Sequence, residues 1–88
     1  MSDAITFYRE FIATARETVN LMSKLETMKE RVESDPALAQ AAADAASTSG
    51  RPDISKADVD NAVGAITQIL FTWDSGEPTQ KSYFYELL

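Results

Sequence analysis

A complete set of helix signals stands in the second half of the chain. Ser55 can cap the N-terminus of a helix, and Asp58, three residues later, can close a capping box. Gly76 then supplies a stop signal. Between these points apolar residues recur at spacings of three and four, which predicts a helix near residues 56–73 on which the rest of the chain packs. The stripe consists of Val59, Val63, Ile66, Leu70 and Trp73.

A long helix is predicted near residues 3–33, because this stretch contains neither glycine nor proline. It carries two apolar rows, which together are wider than the stripe that one neighbouring helix covers. The N-terminal part is therefore expected to touch two surfaces, and the second is supplied either by this chain or by a partner. One row is Ile5, Tyr8, Ile12, Ala15, Val19 and Met22, and the other is Phe7, Phe11, Leu21, Leu25, Met28 and Val32.

The middle of the chain predicts an alanine-rich helix near residues 36–47. Asp35 can cap it, and Pro36 suits the first helical position. Leu38 is the only large apolar side chain there, and burying alanine stabilises a fold much less than burying leucine. We therefore expect the segment 36–53 to be weakly anchored.

The C-terminal segment, residues 79–88, is rich in aromatic and aliphatic side chains. It is expected to form a short helix or an extended tail, which docks either on its own domain or on another molecule. The whole chain, residues 1–88, is thus predicted to be one all-α domain: a long first helix, an alanine-rich middle helix and a third helix, followed by this aromatic segment. We expect the core to bring Val63, Ile66, Leu70 and Trp73 of the third helix against Ile12, Val19 and Met22 of the first.

Composition narrows the classes of function. The chain has no histidine and no cysteine, the usual suppliers of proton transfer, nucleophiles and transition-metal ligands, so we expect no enzyme activity, no cofactor and no metal site. The formal net charge of −6 argues against direct binding of nucleic acid. A signal peptide and a membrane-spanning run are both lacking in the sequence. We therefore expect a protein of the cytoplasm, or of a particle assembled inside a cell.

The sequence leads to two hypotheses of function. The first is a structural or adaptor subunit that binds protein partners, or itself, in a larger assembly such as a phage particle, because the apolar surface exceeds what a small three-helix domain requires. The alternative is an acidic inhibitor that occupies a basic nucleic-acid-binding surface of a target protein. The predicted partner-binding residues are Phe7, Phe11, Phe71, Tyr83, Phe84 and Leu88.

Overall fold

The computed structural model of the protein describes residues 2–88, and within them it contains four helices. They are α1 (Ser2–Ser34), α2 (Leu38–Thr48), α3 (Lys56–Asp74) and α4 (Gln80–Glu86). Met1, the first residue of the predicted domain, lies outside the described residues. No strand occurs in the part of the chain that is described. The predicted all-α fold of three main helices and a short C-terminal helix is confirmed.

Side-chain caps define where α3 and α4 begin. The Ser55 Oγ accepts a hydrogen bond from the backbone N–H of Asp58 at 3.2 Å, and the Asp58 carboxylate accepts one from the N–H of Ser55 at 2.8 Å. This is the predicted capping box. Thr79 caps α4 in the same way, because its Oγ1 accepts from the N–H of Ser82 at 3.0 Å. Gly76, between these helices, has a φ of +89°, a conformation that glycine adopts without steric cost.

The start of α2 differs from the prediction. The helix begins at Leu38, two residues after Pro36. The Asp35 carboxylate accepts a hydrogen bond from the N–H of Ala37 at 3.2 Å, and the Asp35 carbonyl accepts one from Leu38 at 3.0 Å. Asp35 therefore closes a turn over residues 35–37 with its side chain, and the helix can start only after that turn.

The core lies where α1 and α3 cross in antiparallel directions. Val19 and Met22 of α1 are buried against Leu70 and Trp73 of α3, as predicted, and Leu25, Ile66 and Phe84 pack against this cluster. Val63, however, lies beside Met28 and Val32, further along α1. The prediction that Val63 packs on α1 around Ile12, Val19 and Met22 is therefore wrong, because the antiparallel direction places Val63 towards the C-terminal end of α1.

The middle helix packs through its smallest side chains. Ala39 and Ala43 are among the most buried residues, with 1% and 5% of their area exposed, while Leu38 is only half-buried. Because an alanine has no side chain beyond Cβ, α2 can lie close to its neighbour along this seam.

The molecule is elongated because α1 is longer than the helices that cover it. It measures 52 × 32 × 15 Å, and its radius of gyration is 17.3 Å, where a compact domain of this length has about 12 Å. At 1.5 Å per residue, the 33 residues of α1 span about 50 Å, whereas the 19 residues of α3 span about 28 Å. Part of α1 therefore has no helix of its own chain beside it.

Candidate partner-binding surface

The N-terminal third of α1 extends past the helices that pack on the rest of it. Every side chain from position 3 to position 11 is exposed, and the first buried one is Ala15. The large apolar side chains in this stretch expose between 46% and 67% of their area. We define the N-terminal face as Ala4, Ile5, Phe7, Tyr8 and Phe11.

The N-terminal face continues the surface with which α1 packs on its own core. Tyr8 and Phe11 lie seven and four residues before Ala15, and Met22 follows seven residues after it. Residues at these spacings share one side of a helix. Phe7 and Phe11 also contact each other, with ring centroids 6.0 Å apart and planes tilted by 31°. The same side of α1 is therefore covered from residue 15 onwards and uncovered before it.

Two of the predicted binding residues, Phe7 and Phe11, lie together in this face, whereas Phe71 lies elsewhere. Phe71 is 74% exposed and borders a groove that Lys29 of α1 also lines. Phe11 and Lys29 are 18 residues apart in α1, which corresponds to about 27 Å along the helix axis. Phe71 and the N-terminal face therefore cannot bind one small epitope.

The C-terminal helix turns one aromatic residue inward and the others outward. Phe84 is half-buried and packs on Trp73, with ring centroids 5.3 Å apart. Lys81 lies 3.9 Å from Glu26 of α1, which adds an exposed ion pair to this contact. Tyr83 and Leu88, also predicted for binding, expose 57% and 48% of their area. The tail thus docks on its own domain through Phe84, and only its outward side chains are fully open to a partner.

Sequence reasoning missed Ile5 and Tyr8 as candidate binding residues. The sequence pattern assigns them to an apolar row of the first helix, and that row does continue into the core through Ala15 and Val19. The signal that distinguishes them is length: the predicted third helix had 18 residues and the first 31, so the end of the row could not be covered by it.

Besides the N-terminal face, the structure has an apolar groove between α1, α2 and α3. Its volume is about 280 Å³. Its walls are almost entirely apolar, with Arg31 as the charged exception. The stripe of α3 that was predicted to be core thus has one end in this open groove. The apolar lining residues are Met28, Val32, Leu38, Ala42, Val59, Ala62, Val63 and Ile66.

Apart from Arg31, charged side chains lie outside this groove, and some of them pair locally. Arg51 donates two hydrogen bonds to the Asp53 carboxylate, at 3.1 and 3.0 Å, in the loop before α3. This contact lowers the pKa of Asp53 and raises the pKa of Arg51. Lys29 and Glu33 form an ion pair of 3.2 Å along α1. Acidic and basic groups are therefore interspersed along the chain.

Comparison of the chain with protein-family models, with curated proteins and with solved structures finds no match in any of the three. Within residues 2–88, acidic side chains do not gather in groups of three or more that could hold a metal ion. Nor does any helix in this range combine the length and the apolar character needed to cross a membrane.

Proposed function

We propose that this protein is a non-enzymatic structural or adaptor subunit that binds a protein partner through the N-terminal face of α1. The accessible surface carries the proposal. The chain exposes 6587 Å², whereas a compact monomer of its mass, 9.7 kDa, exposes about 5,100 Å². The difference of about 1,500 Å² is area that a compact protein of this size would bury.

The small core supports the same proposal. Three of the buried apolar residues are alanines, which contribute little burial energy. At 88 residues, the domain is close to the size at which a single core is only just sufficient. A partner that covers the N-terminal face adds the apolar burial that the fold does not supply itself. The buried apolar residues are Ala15, Val19, Met22, Ala39, Ala43, Leu70 and Trp73.

The chemistry of the face suits binding to protein. Aromatic side chains often dominate the binding energy of an interface, because they bury a large area with few rotatable bonds. Phe7, Tyr8 and Phe11 together expose roughly 350 Å², if each ring side chain has about 200 Å² to bury. A stable interface buries about 800 Å² on each partner. Three side chains would thus provide nearly half of it.

The setting that we propose is a multi-subunit assembly built inside a cell, for example a phage particle, with the free protein in the cytoplasm. A subunit in such an assembly contacts more than one neighbour. Phe71 borders a groove about 27 Å along α1 from Phe11, far enough to serve a second contact, and its exposure of 74% leaves it accessible.

Size fractionation of extracts from the cells that make the protein tests this function. A tagged wild-type chain is expected to elute well above 9.7 kDa. Phe7→Ser combined with Phe11→Ser should move it towards the monomer position without lowering its melting temperature, because both side chains are exposed. Leu21→Ser is the matched control, since Leu21 is 56% exposed on the same helix but off the face. A wild-type chain that elutes as a free monomer would refute the proposal.

A further inference from the structure

We infer that the N-terminal face binds a second copy of this chain in antiparallel orientation, which gives a two-fold symmetric dimer. The inference rests on the proposed function, since it names the partner of the same surface. In such an isologous contact each copy uses the same patch, so the face must be complementary to itself in space, shape and charge.

The space beside α1 permits only the antiparallel arrangement. On the side of α1 that carries the N-terminal face, the positions of Ala15, Val19 and Met22 are already covered by the rest of the chain. A second α1 in parallel orientation would clash with the helices that already cover these residues. The α1 helix of an antiparallel copy contacts only residues 3–11 and then extends beyond the N-terminus of the first copy. It therefore lies beside the part of α1 that the chain's own helices do not cover.

The shape of the face is compatible with itself when the two-fold axis passes near Phe7 and Tyr8. Two residues, one from each copy, then lie opposite each other when their residue numbers add up to about 15. This register places the large Phe11 of each chain against the small Ala4 of the other, and Tyr8 against Phe7. A large residue facing a small one is the pattern that lets packed layers interdigitate.

The charge of the face does not oppose pairing. Although the whole chain carries −6, residues 2–14 hold two acidic groups, Asp3 and Glu10, and one basic group, Arg9, a net charge of −1. Asp3 and Glu10 lie four and three residues from Phe7 and Arg9 lies four residues from Ile5, so the three groups border the face at exposed positions where water and salt screen them. Only a small part of the net charge of −6 therefore lies at this end of the chain.

The exposed area allows such a contact. A standard dimer buries about 800 Å² per copy, of which Phe7, Tyr8 and Phe11 supply roughly 350 Å² at about 200 Å² a ring, and the surface of the whole chain in excess of a compact monomer is about 1,500 Å². One such contact would remove roughly half of the excess and leave the rest, which includes Phe71 and the outward side of the tail, for other neighbours.

Sedimentation equilibrium of the purified protein, over about 1 to 200 µM, tests the inference because binding to itself follows mass action. We expect the mass to rise towards twice 9.7 kDa with concentration. Phe7→Ser with Phe11→Ser should weaken association by about 30-fold or more, as for the loss of a hot-spot residue. Leu21→Ser should leave association unchanged. A wild-type protein that stays monomeric at every concentration overturns the inference, as does equal association of the double variant.

Disulfide trapping tests the orientation, and the natural absence of cysteine makes it selective. Ala4→Cys mixed with Phe11→Cys should give a mixed disulfide, because the two Cβ atoms must approach within about 3.5–4.5 Å. Ala4→Cys alone should not cross-link, since two copies of residue 4 are then about 10 Å apart along the axis. Efficient cross-linking of Ala4→Cys alone would mean a parallel pair and would overturn the antiparallel arrangement.

The two proposals fail in different experiments. In one outcome the purified protein is monomeric, but the wild type in cell extract still elutes in a large assembly that Phe7→Ser with Phe11→Ser disrupts. This result overturns the inference of a dimer and supports the proposed function. A dimer of the purified protein that is also the largest species in the extract supports the second copy and refutes the role in a larger assembly.

Discussion

The contact between Phe84 and Trp73 allows a quantitative test of how the C-terminal helix is held. Full burial of a phenylalanine contributes about 1.5–3 kcal/mol, and Phe84 is half-buried. The aromatic pair, at 5.3 Å between centroids, adds about 0.5–1.5 kcal/mol. Phe84→Ala should therefore cost about 1–3 kcal/mol of unfolding free energy, which lowers the melting temperature of a domain of this size by about 5–20 °C.

Urea unfolding followed by tryptophan fluorescence measures this cost, because Trp73 is the only tryptophan in the chain and lies under Phe84. The matched control is Tyr83→Ala: the residue is adjacent, similar in size and 57% exposed, so its loss should change stability by less than about 0.5 kcal/mol. Equal losses for the two variants, or a Trp73 emission that Phe84→Ala leaves unchanged in the folded state, would refute the docking of α4 through Phe84.

Further predictions concern the other helices. Ala39→Leu should cost about 1–3 kcal/mol by overpacking the α2 seam, whereas Ala41→Leu, on the exposed side, should be nearly neutral in thermal unfolding. Ile66→Ala should cost about 2 kcal/mol, at the lower end for core truncations because Ile66 is only half-buried; an unchanged urea midpoint would contradict this. Ser55→Ala should cost about 1 kcal/mol by removing the cap of α3, and restoration by Ser55→Thr would identify the hydroxyl as the cause. Hydrogen exchange should be faster in α2 than in α3, because only small alanine side chains are buried in α2. Equal protection of the two helices would show that the alanine contacts hold α2 on the domain as firmly as α3 is held.

Features that depend on neighbouring residues were predictable from the sequence. The capping box of Ser55 and Asp58 and the all-α class follow from hydrogen-bonding groups and spacings within a few residues, and the structure has both. At Asp35 the predicted helix start lies two residues too early, because the same carboxylate can cap a helix or close a turn, and these differ little in local sequence.

Features that depend on distant residues could not be predicted in the same way. The periodicity of α1 shows which side is apolar but not how far along that side another helix reaches. That reach is set by the antiparallel crossing, which places Trp73 near Val19 and leaves Tyr8 beyond the end of α3. Similarly, Tyr83 and Phe84 are adjacent aromatic residues, and only the direction in which α4 lies after Gly76 decides which of them faces the core.

The elongated form also has a thermodynamic consequence in the heat capacity of unfolding. Unfolding exposes less new surface when the native chain already leaves about 1,500 Å² more in water than a compact monomer does. With ordinary proportions of apolar and polar area, this lowers the heat-capacity change by roughly 0.2 kcal/mol/K, from a norm of about 1.1–1.3 kcal/mol/K for 88 residues. The isolated monomer should therefore have a stability curve that is flatter with temperature, and calorimetry of any dimer should show a larger heat-capacity change per chain.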